Sequence, residues 1–248
     1  MADTRSSRST PSTPSRHGSR GEGREALIAA AERLFAQYGV GAVSLRAIAA
    51  EAGQRNTSAV AYHFGSKEKL VEAIYARRLT PANARHLAQL AELDAQGRGE
   101  DLRALVDSFI RPMRERVEST EESGWFLRFV ATALYVDEMA PFDLASQPWT
   151  EGLDVHRTRV LAGLADRGLP ARLCESRWRH FVGLTLHTLA GLERLVQAHR
   201  HDPARRKPDL TLAVADLADV ATAALTAPVS AETAAALTAG PGRGRQQP

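Results

Sequence analysis

Apolar residues fall at helical spacing along most of this chain, with no alternating apolar and polar stretch to suggest a strand, and the pattern predicts an all-α fold. Over residues 25–38, Leu27, Ala31, Leu34, Phe35 and Tyr38 make one stripe of a helix that Gly39 and Gly41 end. Ser44 is placed to cap a second helix, whose apolar face is Leu45, Ile48, Ala49 and Ala52 and which Gly53 stops. In the short segment TSAVAYHF, Val60 and Phe64 lie four apart to dock on the first two helices. Gly65 closes that segment, and Ser66 caps a further helix that opens at Lys67. Two short helices about a glycine turn form a helix-turn-helix arrangement, the second helix of which enters the major groove of DNA.

Beyond residue 76 the helices lengthen. The helical pattern continues on both sides of Pro81, which removes a backbone donor and should kink or interrupt it. Residues 123–136 are apolar on nearly every side with Arg128 as the only charge, the mark of a central helix. Trp125, Phe126, Phe129, Tyr135, Phe142 and Trp149 concentrate around it, which reads equally as plain core or as the wall of a ligand cavity between helices. Arg128 is there either a structural ion pair or the partner of an acidic ligand group. Two late segments carry long stripes: Trp178, Phe181, Val182, Thr185, Leu189, Leu192 and Val196 in one, and Leu210, Val214, Leu217, Val220, Ala221 and Leu225 in the other. They pair either as an internal hairpin or with their symmetry mates in a four-helix bundle.

Charge sharpens the division of the chain. Five arginines against two acids within residues 1–24 equal the formal net charge of +3 for all 248 residues, and a basic N-terminal third joined to a mildly acidic remainder suits a nucleic-acid-binding end. Residues 1–22 are Ser, Thr, Arg, Pro and Gly with almost no apolar content, so a disordered basic arm is expected there. Its arginines read either as a solvated tail or as a flexible arm on DNA. A disordered tail is expected over residues 228–248, with at most a short helical turn. Between these ends the expected division is a helix-turn-helix domain over residues 23–75 and a larger helical domain over residues 76–227. Cys174 is the only cysteine, which excludes an intramolecular disulfide, and no leader-like or bilayer-length apolar run occurs. A cytoplasmic, non-membrane protein is the expectation.

The residues Ser44, Ile48, Ala49, Ala52, Gly53, Tyr62, His63, Phe64, Ser66, Lys67, Glu68 and Leu70 resemble the pattern shared by the TetR family of tetracycline-repressor-like transcriptional regulators. The resemblance covers residues 25–75, and it departs in one respect. One extra residue lies between Gly53 and Phe64, lengthening the turn around QRN. What the resemblance implies, together with the chemistry of the side chains, is phosphate contact by Ser44, Tyr62, His63 and Lys67. Base readout falls to the polar residues Arg55, Asn56, Thr57 and Ser58. It also implies a small-molecule effector in the body, with Trp125, Arg128, Phe129 and Trp149 as the candidate cavity wall. Homodimerisation is implied through the late helices, with Trp178, Phe181, Thr185, Leu189, Leu192, Val214, Leu217 and Ala221 as the candidate interface.

Catalytic and metal-binding readings find less support. His180 and His187 share a helix face two turns apart, a spacing that matches no zinc pattern, and serine, glycine-loop and paired-carboxylate motifs are absent. The sequence therefore points to a non-enzymatic, cofactor-free repressor that binds an inverted-repeat double-stranded DNA operator and is released by a small apolar or amphipathic effector. The alternative is a small-molecule-binding helical protein with a vestigial DNA-binding end.

Overall fold

The computed structural model describes residues 16–54, 56, 58–118, 124–134 and 147–239, with side-chain surroundings from residue 21 onward. Ten helices and no strand make up the described residues. The N-terminal unit is α1 (Arg16–Tyr38), α2 (Leu45–Glu51), α3 (Ala59–Phe64) and the start of α4 (Lys67–Ala95). The body adds α5 (Leu102–Glu118), α6 (Phe126–Ala133), α7 (Glu151–Ala165), α8 (Ala171–His201), α9 (Leu210–Thr226) and α10 (Ala231–Thr238).

The all-α expectation holds, and so do the local devices that end the short helices. Ser44 Oγ accepts from the Ala47 amide at 3.1 Å, and Ser66 Oγ accepts from the Lys69 amide at 3.2 Å, each satisfying a first-turn donor. Gly53 stops α2 at a φ of +67°, with its amide on the Ala50 carbonyl and the Gln54 amide on the Ala49 carbonyl. This double closure needs a left-handed residue, which glycine supplies without strain.

The ends differ from the expected disorder. The first helix already begins at Arg16, inside the expected arm, because once Leu27 and Ile28 anchor it each further turn adds backbone bonds without a new nucleus. The expected tail contains α10, whose alanine-rich segment has strong helix propensity and whose cap Ser230 accepts from the Thr233 amide. None of its residues is buried. Pro81 does not interrupt α4, which runs through it. Packing of Tyr75 and Arg78 before it and of His86 and Leu90 after it holds both halves while a single backbone bond is lost. The N-terminal unit and the body are therefore joined by one continuous helix.

They also share a core. Phe129 of α6 lies 6.1 Å from Phe35 of α1 and 5.1 Å from Tyr75 of α4, and Tyr75 stacks on Trp149 at 5.9 Å between ring centroids. Thr132 of α6 donates its hydroxyl to the Phe35 carbonyl at 3.3 Å. Tyr38, expected to complete the α1 stripe, is instead 65% exposed, since the helix ends there beyond the reach of α2 and α4.

The late stripes face inward. Trp178, Phe181, Thr185, Leu189 and Leu192 of α8 and Leu217 and Ala221 of α9 are buried within this one chain, and Val214 is half-buried. Phe109 of α5 meets Trp178 at 5.6 Å and Phe181 at 5.0 Å, which is where that stripe spends its apolar surface. It is consequently not the face open to a second copy. Val220, placed on the α9 stripe from spacing, is 47% exposed. Arg177 locks the pair internally by donating to the carbonyls of Leu225 and Ala227 at the end of α9. No single helix among the described residues is long and apolar enough to cross a membrane.

Candidate nucleic-acid interface and helical cavity

The core of the N-terminal unit is Leu27, Phe35, Ile48, Val60, Leu70 and Ile74, all with no exposed surface. Burying these on one side turns the polar sides of α2 and α3 outward. Tyr62 is 62% exposed and stands edge-on to His63 at 5.1 Å. Phe64, half-buried, has the Arg24 guanidinium 5.1 Å above its ring. Ser44 is exposed at the start of α2, its oxygen already accepting the Ala47 amide.

The lengthened turn occupies residues 52–58, so α3 is a helix of six residues and all four residues expected to read bases precede it. Arg55 and Thr57 lie outside the described residues. Asn56 and Ser58 are both exposed, and Asn56 Oδ1 accepts the Ser58 amide at 2.9 Å, so the asparagine carbonyl oxygen is engaged in shaping the turn. Ser58 is the N-cap residue of α3, and its hydroxyl makes no capping bond.

Lys67 behaves differently from the reading of it as a phosphate contact alone. Its ammonium donates to the Val40 carbonyl at 2.9 Å in a part-buried setting, tying the start of α4 to the α1–α2 turn. Arg46 of α2 carries no motif in the sequence, being a single arginine on an amphipathic helix. It is exposed and makes no ion pair among the described residues, the chemistry a phosphate contact needs.

Residues 27–74 match the family model described as bacterial regulatory proteins, tetR family. The N-terminal unit is a TetR-family DNA-binding domain. With it, the chain is a DNA-binding transcriptional regulator. Among solved structures, the crystal structure of a TetR-family regulator from Streptomyces coelicolor A3 is similar at 20% identity, covering 86% of this chain and 99% of that one with a TM-score of 0.35. No curated protein matches the chain.

In the body of the chain a cavity of about 60 Å³ lies among α4, α5, α6, α7 and α8. Tyr75, Arg78 and His86 line it from α4, Phe109, Met113 and Arg116 from α5, and Leu127, Val130, Leu153 and Leu186 from the remaining helices. Of the aromatic residues expected to wall a cavity, Phe126 lines it, whereas Trp125, Phe129 and Trp149 do not. Phe129 and Trp149 are buried in the core beside Tyr75. Trp125 lies under the Arg128 guanidinium at 3.8 Å. Arg128 is the structural ion pair: its Nε lies 3.4 Å from Glu193, and its Nη2 donates to the Gly124 carbonyl at 2.6 Å and to Gln197. Tyr135 and Phe142 lie outside the described residues.

The polar groups around the cavity were not legible from sequence. Glu32 of α1 accepts from Arg78 Nε at 2.8 Å and Nη2 at 2.9 Å. Arg116 donates to the Arg78 carbonyl at 3.3 Å and covers the Phe126 ring at 4.9 Å. His156 hydrogen-bonds the Gly152 carbonyl through Nδ1 at 2.9 Å, which makes Nε2 the acceptor for the Ser108 hydroxyl at 2.9 Å. This buried serine–histidine contact has no carboxylate orienting the imidazole and positions α7 on α5. Burial lowers His156 to about 4, and burial together with His156 lowers His86 to about 3, so both rings are neutral near pH 7. Cys174 is buried, and its thiol is pushed up by desolvation, the opposite of a reactive thiolate. Among the described residues no group of three or more His, Cys, Asp or Glu side chains is placed to hold a metal.

Proposed function

We propose that the chain is a repressor that binds an inverted-repeat operator as a two-fold homodimer and leaves it when a small molecule occupies the α4–α8 cavity. The observation that carries this reading is α4 itself. Its first turn is tied to the reading head through Lys67 and Val40, and its third, fourth and sixth turns line the cavity through Tyr75, Arg78 and His86. A ligand lowers DNA affinity only through differential affinity for a conformation that fits the operator less well, and a shared rigid helix supplies the link.

In this reading Ser44, Arg46, Tyr62 and His63 contact phosphates, while Ser58 with its neighbours in the 52–58 turn reads bases. The dimer forms through the outward face of the last long helices, where Leu195, Leu212 and Val220 are exposed, rather than through the stripes buried inside the chain. Half-sites should therefore be spaced by about one helical turn of DNA or a multiple of it. Mobility-shift titration against the DNA flanking its own gene tests the proposal, with footprinting to show paired half-sites. Absence of a shift above that given by random DNA of equal length would sink it.

A further inference from the structure

Arg116 has no carboxylate within 4 Å among the described residues, yet it lines the cavity, and its charge is disfavoured by desolvation. The like charge beside it is Arg78, while the facing acids are Glu32, already held by Arg78, and Glu193, already held by Arg128. Arg85, the remaining nearby cation, pairs with Glu115 at 3.8 Å. Each of the two facing acids already has an arginine as its hydrogen-bond partner, so Arg116 is left without a carboxylate of its own. A half-buried charge gains from a partner, and among the described residues this one has a carbonyl and an aromatic face.

A second, independent observation concerns His86. It is 4% exposed and lines the cavity, and its Nδ1 has no hydrogen-bond partner among the described residues. Nearly all buried polar atoms in folded proteins are satisfied, so an unpartnered nitrogen on a cavity-lining residue suits a polar group brought by whatever fills the cavity. The rest of the wall is apolar, from Phe109, Met113, Leu127, Val130 and Leu186. The size is also informative. About 60 Å³ is well below the roughly 300–1,000 Å³ of sites for drug-sized ligands, so the occupant is compact.

We infer that the cavity takes a small monocarboxylic acid with a compact apolar body, its carboxylate on Arg116 and a second polar group, where it has one, on His86. This rests on the effector reading above and specifies its chemical class. Arg78 is already committed to Glu32, which leaves Arg116 as the guanidinium able to receive a carboxylate in two-pronged fashion. Because Arg116 donates to the Arg78 carbonyl, a ligand that draws it into the cavity acts directly on the turn of α4 that grips α1.

Acetate, propionate, isobutyrate and butyrate, each beside its primary amide, are the probes, and binding to the full chain is read by isothermal titration. At least one acid should bind, with its amide at least tenfold weaker. Arg116→Gln should abolish that preference, while Arg116→Lys, which keeps the charge, should retain part of it; thermal unfolding of both variants confirms that they fold. Amides binding as well as acids, an Arg116→Gln variant that keeps full preference for the acid, or no acid binding at all would each overturn the assignment. Operator affinity is measured separately with saturating acid. An acid that binds as expected but leaves the operator complex intact supports the ligand class and overturns the effector reading, whereas an amide that binds equally and releases DNA does the reverse.

Discussion

Glu32 and Arg78 form a buried, two-pronged ion pair between α1 and α4, with N···O distances of 2.8 and 2.9 Å. It fastens the DNA-binding unit to the helix that lines the cavity. Removing one partner strands the other charge, so Arg78→Met should cost about 3–5 kcal/mol. The double variant Glu32→Met with Arg78→Met exchanges the pair for packed apolar groups and should recover most of that loss. Urea denaturation of the single and double variants checks the ledger. The double variant should nevertheless bind operator more weakly, because the head loses its fixed seat on α4.

The histidines set a pH dependence. Free histidine titrates near 6.5, whereas His86 and His156 are lowered to about 3 and about 4, with burial the first cause in both. Below pH 6.5 the unfolded chain takes up protons that the folded chain refuses, so stability is full above that value and is lost as pH falls. Each histidine should contribute a slope of about 1.4 kcal/mol per pH unit between roughly pH 6 and the folded values. Denaturant midpoints measured from pH 7 to pH 5 should show this, and His86→Met should remove about half of the slope. An unchanged slope in that variant would mean that His86 is protonated in the folded chain.

Arg46 and Lys67 should separate in their effects. An exposed phosphate contact is worth counterion release, so Arg46→Ala should weaken binding to every DNA sequence alike and reduce the salt slope by about one unit, with no change in melting temperature. Lys67→Ala also removes the tether to the Val40 carbonyl and should lower stability by about 1 kcal/mol. Ser58→Ala, by contrast, should change preference among operator variants by about 1–3 kcal/mol at one position. Salt-dependent binding isotherms and thermal melts on the same variants distinguish the three.

Legibility followed the range of the interaction. The caps Ser44 and Ser66, the glycine stops and the stripe through Leu27, Ala31 and Phe35 are local, and the chain order displays them directly. The Lys67 to Val40 bond spans 27 residues and the Arg128 to Glu193 contact 65, so neither partner could be named from sequence. The stripe on α8 was correctly seen as apolar, but spacing does not say which of two apolar faces turns inward. That was settled by Phe109, which claims Trp178 and Phe181. The aromatics near Trp125 presented core and cavity equally, and Tyr75 decided for core by packing on Phe129 and Trp149. Helix α7 passed unremarked because His156, a polar residue by type, holds a fully buried place on its inner face.

Association should respond to charges on the outward face alone. Leu212→Asp and Val220→Asp, at positions 67% and 47% exposed, should leave the fold intact while shifting a dimer toward monomer in sedimentation equilibrium. Leu189→Asp or Leu217→Asp puts a charge into the core of a single chain and should unfold it at any concentration. If the outward variants remain dimeric with full melting temperature, the interface lies elsewhere.

Gly152 marks the closest approach of α7 to α4, and the consequence reaches the reading head. A Cβ there would lie 2.8 Å from His86 Cβ and 2.9 Å from Asn83 Oδ1, inside contact distance of both. Asn83 cannot simply swing aside, because its Oδ1 accepts the Gly152 amide at 2.6 Å and so caps the first turn of α7. Gly152→Ala should therefore force α4 and α7 apart and cost about 1–3 kcal/mol as overpacking, although alanine is the better helix former by about 1 kcal/mol. The displaced stretch of α4 carries His86 and lies one to two turns beyond Arg78, so the variant should also alter operator affinity without touching a DNA-contacting residue. A denaturation curve and an operator titration on Gly152→Ala test the two halves together. Lowered stability with unchanged operator affinity would show that α4 yields beyond Pro81 and does not carry the movement to the head.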